Sequence, residues 1–173
     1  VNGPRSTVLA GDHAALKAVA ETLAARDVFC RVVKGSPPGH SHLVADFGPV
    51  LADEIAGITP LAGSVPFYST VREQRLGGQF LNAAYWADNL RQPVRFFGGV
   101  QALLRDGIDT LIELSPHPIL SPVIGDIAAE SGRPSDETET REILALPSLR
   151  RDEDDHAVLY STVGRLYERG ATI

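Results

Sequence analysis

The segment Gly39-His40-Ser41-His42 concentrates the side chains of this sequence that could move a proton or attack a carbonyl. An imidazole takes and returns a proton near neutral pH, which suits it to general acid–base work. Ser41 invites a second reading, as the nucleophile of a Gly-x-Ser-x-Gly elbow. Leu43 stands where the second glycine belongs, the residue that lets the following helix pass close to the elbow. His40 is therefore the candidate base, and no nucleophile accompanies it. Spacing alone favours the plainer role of a turn histidine facing solvent.

Other polar residues have structural roles that suit their surroundings. His42 reads as a solvated neighbour. His117 lies between Pro116 and Pro118, where it would stiffen a turn rather than line a cleft. Arg91 and Arg95 suit ion pairs that pin the corner from Asn89 to Phe96, with contacts to a ligand's phosphates as the alternative. Trp86, the single tryptophan, reads as a packing anchor. Cys30 stands alone in an apolar run and reads as a small buried hydrophobe; one cysteine fits a reducing compartment. His40-x-His42 offers too few ligands for a metal.

The elements that must position these residues alternate between strand and helix. Ser6 to Ala10 is expected as a short strand, and Asp12 as the N-cap of a helix with Leu16, Val19 and Leu23 on one stripe. Val28 to Val33 is expected as a second strand. After Pro37-Pro38-Gly39, an amphipathic segment runs from Leu43 to Ile58 with Val44, Phe47, Leu51 and Ile55 on one face. Val65 to Val71 is apolar enough for a buried strand, and Gly77-Gly78 breaks the chain before the next helix. Phe96, Val100, Leu103 and Leu104 form a helix stripe that Gly107 ends. Thr110 to Leu114 reads as a strand stopped by Ser115-Pro116, and Ile119 to Ile127 as a helix. Glu130 to Glu142 has no apolar period and reads as a surface loop. Ile143 to Leu146 follows as a short strand. The last helix carries Val158, Val163 and Leu166 and closes at Gly170, with acids from Asp152 to Asp155 at its positive end.

Composition narrows the class. With 43% hydrophobic and 22% charged residues, the 173-residue chain is globular. A net charge of −6 argues against a nucleic-acid surface, which needs a clustered basic face. No stretch approaches the ~20 apolar residues of a membrane span, and no signal peptide is visible. There is no methionine and Val1 opens in mid-motif, so the chain is expected to be part of a longer enzyme.

Six blocks occur in order: Val1-Asn2-Gly3-Pro4 to Val8; Gly39-His40-Ser41-His42-Leu43-Val44; Val65-Pro66-Phe67-Tyr68-Ser69-Thr70-Val71; Tyr85-Trp86 to Phe96; Leu111-Ile112-Glu113-Leu114-Ser115-Pro116-His117-Pro118; and Leu149-Arg150-Arg151. This succession resembles the C-terminal half of the acyltransferase domain of type I polyketide synthases, a group similar to malonyl-CoA:acyl carrier protein transacylases. The resemblance implies an α/β fold: part of an α/β-hydrolase-like acyltransferase domain with an inserted ferredoxin-like small subdomain. Residues 1–60 would be the portion of that subdomain carrying the base, 61–142 the C-terminal part of the large α/β subdomain, and 143–173 the end of the domain and the linker after it.

In that family an elbow serine takes a malonyl-type acyl group from CoA and passes it to the phosphopantetheine thiol of an acyl carrier protein. The resemblance puts the base at His40 and reverses the reading that spacing favours. No Gly-His-Ser-x-Gly-Glu elbow occurs in the sequence, so the N-terminal half with its serine is expected outside the chain. The family's orienting carbonyl for the base would fall at Glu113 to Ser115. Where family members carry Tyr-Ala-Ser or His-Ala-Phe before the histidine, this chain has Pro37, Pro38 and Gly39, the expected substrate-binding edge. Gly39 removes the side chain that gates the extender's branch. Expected partners are the N-terminal half of the domain, the carrier protein, and the ketosynthase and linker of the same synthase, in the cytoplasm, with no permanently bound cofactor, nucleic acid or membrane. The alternative function is a non-catalytic scaffold or linker portion of a synthase. A serine hydrolase is disfavoured because the chain lacks an Asp-to-His triad order.

Overall fold

The computed structural model describes residues 1–33, 38–130 and 142–173. Most of the expected loop, residues 131–141, lies outside the described residues, as does Pro37. The chain divides into two compact units, one of Val1 with residues 7–95 and one of residues 2–6 with 96–173.

In the first unit, helix α1 (His13–Ala24) begins where Asp12 accepts the N–H groups of Ala14 and Ala15, as its N-cap position predicts. Beyond Ser41 a 3-10 turn (His42–Val44) leads to α2 (Phe47–Glu54), so the single amphipathic segment expected from Leu43 to Ile58 is broken in two. Strands β1 (Phe67–Ser69) and β2 (Gln74–Leu76) form an antiparallel hairpin with Tyr68 opposite Arg75. Helix α3 (Ala83–Arg91) packs against α2 and the 3-10 turn, and its N-cap Asn82 accepts from Tyr85 N–H. A Cβ at Gly78 would run into the Leu61 carbonyl, which explains a glycine at the entry to this region.

The stretches expected as strands at 6–10 and 28–33 are not strands. Neither joins a ladder among the described residues: Ser6 bridges Gly3 alone and Val28 N–H turns back onto Leu23 O, whereas a strand needs a ladder partner for its hydrogen bonds. Their apolar side chains stand open: Phe29 is 89% exposed and Val32 73%. Cys30 is exposed for the same reason, correcting its reading as a buried hydrophobe.

In the second unit the apolar periods correspond closely to the elements formed. Helix α4 (Phe96–Arg105) ends before Gly107, whose φ of 82° is open to glycine at little cost. Strand β3 (Thr110–Glu113), helix α5 (Ser121–Glu130) and strand β4 (Leu144–Pro147) place two parallel strands around a helix, in register Thr110 to Leu144 and Ile112 to Leu146. Val100, Ile124 and Ile127 are buried together, with Phe96, Phe97, Leu104 and Leu111 packed around them. Helix α6 (Asp155–Glu168), capped by Asp154, lies on β4 through the buried Val158 and a 2.6 Å bond from Thr162 Oγ1 to the Pro147 carbonyl.

Ile127 is fully buried whereas Ile119 is 71% exposed. Ile127→Ala should therefore lower unfolding stability by about 2–5 kcal/mol, and Ile119→Ala should stay within about 0.5 kcal/mol of wild type. Urea denaturation curves would reveal the difference, and equal midpoint shifts would contradict this core.

Candidate active site

His40 sits in the left-handed region, φ 59°, a conformation uncommon for a residue with a side chain. Such backbone costs on the order of 1–3 kcal/mol and persists only where the surroundings hold it. Two carbonyls at the end of α3 do so here. His40 N–H donates to Leu90 O at 2.9 Å, and the ring Nδ1 lies 3.1 Å from Gln92 O. A carbonyl oxygen only accepts, so Nδ1 carries a proton and, in the neutral ring, Nε2 has the lone pair. That tautomer is the one a general base needs.

Gln92 can offer its carbonyl because Pro93 follows it. The proline drives Gln92 out of the helical region, to φ −70° and ψ 150°, and its C=O leaves the helix ladder. Its N–H still closes the last turn onto Asp88 O at 2.8 Å. The orienting carbonyl thus comes from Gln92, not from Glu113 to Ser115 as the resemblance implied. A Gln-Pro pair just past a helix was the signal in the sequence that would have identified it.

Ser41 is excluded as a nucleophile. Its hydroxyl donates to Pro38 O at 2.6 Å and accepts from Leu43 N–H at 3.3 Å, and the residue is 7% exposed. Ser41 caps a turn, and the neighbouring His42 is exposed. Of the substrate-edge residues, Pro38 and Gly39 are described and precede His40 directly. Among the described residues, a Cβ on Gly39 would meet nothing within 4 Å.

The arginines have the structural partners expected of them. Arg91 lies 3.6 Å from Asp88, and Arg95 lies 3.5 Å from Glu73. Trp86 donates from Nε1 to Leu81 O at 3.0 Å and packs edge-on to Tyr85, but Tyr85 is the buried ring. In the second unit, His117 Nδ1 accepts from Arg151 N–H at 3.3 Å, consistent with its holding a turn. Among the described residues no three His, Cys, Asp or Glu side chains converge on a metal-sized site, and no helix is long and apolar enough to cross a membrane.

The role of Glu113 was not legible in the sequence. Its carboxylate accepts from the N–H groups of Ile119, Leu120 and Ser121 and from Ser121 Oγ, at 2.7 to 3.1 Å. It therefore caps α5 from the end of β3, the work an N-cap residue usually does. Burial pushes this carboxyl upward, but the donors at Ile119, Ser121 and Leu120 outweigh it and hold the pKa at about 2, below the ordinary 4.5.

With this geometry in view, comparison with known proteins identifies the family. The acyl transferase domain family matches residues 1–169, and the chain belongs to that family. Its relatives are acyltransferase domains of type I polyketide synthases. It is 38% identical, over all 173 residues, to the spectinabilin polyketide synthase system protein NorA of Streptomyces orinoci, of which it spans 9%. Among solved structures, the acyltransferase domain from module 8 of the salinomycin polyketide synthase aligns over 100% of this chain and 39% of its own, at 31% identity and a TM-score of 0.88. A malonyl-CoA:acyl carrier protein transacylase from Xanthomonas oryzae aligns over 86% of this chain and 44% of its own, at 27% identity and a TM-score of 0.67. The fold is thus that of an acyltransferase domain, and the chain spans less than half the length of these relatives.

Because the folded pKa of Glu113 is depressed, its stabilisation is present above the unfolded value of 4.5 and is lost as pH falls toward about 2. Glu113→Gln should lower stability at pH 7 by about 1.5–3 kcal/mol, the range for hydrogen bonds to a charged group. It should also flatten the stability profile between those two pH values. A variant whose acid limb matches wild type would show that the carboxylate is not held as described.

Proposed function

We propose that this chain is the base-bearing portion of a polyketide synthase acyltransferase that moves a malonyl-type acyl group from CoA to a carrier-protein phosphopantetheine thiol. The observation that carries the reading is His40, held in left-handed backbone with Nδ1 on the Gln92 carbonyl and Nε2 left as acceptor. A ring whose tautomer is fixed by a carbonyl suits a general base, whereas a scaffold needs no fixed tautomer.

In the proposed sequence His40 Nε2 takes the proton of an elbow serine as its oxygen attacks the acyl-CoA thioester. The C–S bond breaks, CoA leaves as the thiol with the proton from the imidazolium, and the acyl group remains as a serine ester. His40 then takes the proton of the phosphopantetheine thiol. The sulfur attacks the ester, and serine recovers its proton as the C–O bond breaks. The Gln92 carbonyl steadies the imidazolium in both halves, the part that an aspartate plays in a hydrolase triad.

The serine would come from sequence outside these residues, together with the rest of the domain. The open apolar side chains of 28–33 support this, since they stand exposed among the described residues. The finer architecture is proposed on the same grounds: a ferredoxin-like subdomain represented by residues 1–60, the large subdomain by 61–142, and a linker within 143–173. The partners proposed are the missing half of the domain, the carrier protein, and the ketosynthase and linker of the same synthase. The setting proposed is cytoplasmic, with acyl-CoA as substrate and no resident cofactor.

His40→Ala in the full-length protein should slow acyl transfer by roughly 100- to 10,000-fold, and His42→Ala should do little. Radiolabelled acyl transfer to carrier protein is the measurement; equal effects of the two substitutions would refute the assignment of the base.

Pro37, Pro38 and Gly39 are proposed as one edge of the acyl pocket. Among the described residues nothing crowds a Cβ at Gly39, so Gly39→Phe meets no clash at that atom. A ring in that place should penalise a branched extender by about 1–3 kcal/mol of overpacking, a selectivity shift of roughly 5- to 150-fold. Competition between malonyl-CoA and methylmalonyl-CoA would show it, and an unchanged ratio would remove these residues from the pocket.

A further inference from the structure

The carbonyls that hold His40 belong to the last turn of α3 and its cap, so whatever places α3 also places the base. Helix α3 has nine residues. Its deepest tie outside the helix packing is one hydrogen bond, 2.8 Å between Tyr85 Oη and Ser69 Oγ, with Tyr85 5% and Ser69 0% exposed. The direction of that bond follows from its neighbours. Ser69 Oγ already accepts from Val71 N–H at 3.2 Å and Arg72 N–H at 3.1 Å, which occupies both lone pairs. Its own proton therefore goes to Tyr85.

The same turn holds the chain again on either side of Gln92. Arg72 donates to the Asp88 carboxylate at 2.8 Å, and the Asp88 carbonyl receives the Gln92 N–H. Past Gln92, Arg95 N–H donates to Thr70 O at 2.9 Å and Arg95 Nε faces Glu73. Residues 69–73 thus grip the segment bearing the His40 anchor before and after the anchor itself. At 3.1 Å the bond from Nδ1 to Gln92 has little length to spare.

We propose that Ser69 and Tyr85 are positioning residues for the His40 base, fixing through α3 the carbonyls that set its ring orientation and tautomer. The proposal rests on the reading of His40 as the base. Neither residue touches the reacting groups. Their hydrogen bond keeps α3 from turning or sliding, and a displacement of the Gln92 carbonyl by a fraction of an ångström releases the ring to both tautomers.

The test uses the full-length protein carrying ¹⁵N-labelled histidine, with Tyr85→Phe, Ser69→Ala and the double variant. Each single substitution should lower kcat for acyl transfer by roughly 10- to 100-fold, the scale of a small misplacement of a catalytic group, and should leave KM for acyl-CoA nearly unchanged. The ¹⁵N shifts of His40 should move from the Nδ1–H form toward the mixture of a free imidazole. Both variants break one bond, so the double variant should fall no further than Ser69→Ala alone. Folded variants with wild-type ring shifts, or effects on kcat that multiply, would overturn the proposal.

If neither core variant folds, Asp88→Asn on the half-exposed second tie takes their place. It should shift the tautomer ratio in the same direction with a smaller loss of kcat, and an unshifted ratio would be fatal. His40→Ala is the control for the underlying reading. If it leaves transfer intact, His40 is not the base, whereas a dead His40→Ala beside an unaffected Tyr85→Phe sinks only the positioning role.

Discussion

The two carbonyls at the C-terminal end of α3, from Leu90 and Gln92, are the constraint on which the proposed site depends. They accept from one residue twice, at its backbone and at its ring, and so fix both the left-handed backbone and the imidazole of His40. Helix C-termini have unpaired carbonyls to offer and carry partial negative charge, which favours a cation beside them. A base that becomes an imidazolium in mid-reaction is served by both properties. The carbonyl also orients the ring without being an acid that could itself be protonated.

The second unit uses the opposite end of a helix in the same way. There the unpaired groups are the N–H donors at the start of α5, and Glu113 satisfies three of them with one carboxylate. Since Glu113 ends β3, its grip locks the strand to the helix that follows, and the Ser115–Ser148 hydrogen bonds link that turn to the end of β4. Each unit therefore has a helix terminus whose unmet hydrogen bonds hold a distant side chain. In one the held residue is the proposed base; in the other it stabilises the turn where the strand ends.

The sequence disclosed most of the second unit because its periods arise from burial within the chain. Val100, Ile124 and Ile127 meet at the centre, and the stops at Gly107 and Gly170 fall at positive φ as a helix end demands. The first unit was less legible. The runs 6–10 and 28–33 have the composition of strands, but composition does not supply a ladder partner, and among the described residues they have none. The hairpin partner β2, Gln74-Arg75-Leu76, was missed because two of its three residues are exposed and polar. The proposed base, His40, is singled out by resemblance, but the same resemblance misplaces the carbonyl that faces its ring: side-chain identity says little about which backbone oxygen is free. The clue lay in Pro93, which forces the preceding residue out of the helix.

This division of labour bears on how the proposed pocket edge can differ from the family pattern without loss of the base. His40 is held from the α3 side, by backbone atoms, and the bond Ser41 makes to Pro38 O closes the turn in front of it. Gly39 contributes no side chain to either hold, and a Cβ there would meet nothing within 4 Å among the described residues. Neither hold on residue 40 uses the side chain of residue 39. On the proposed reading, acyl selection and proton transfer occupy adjacent residues but depend on different contacts. Selection would then be free to drift among related domains at the position before the histidine, while the helix end behind it stays fixed.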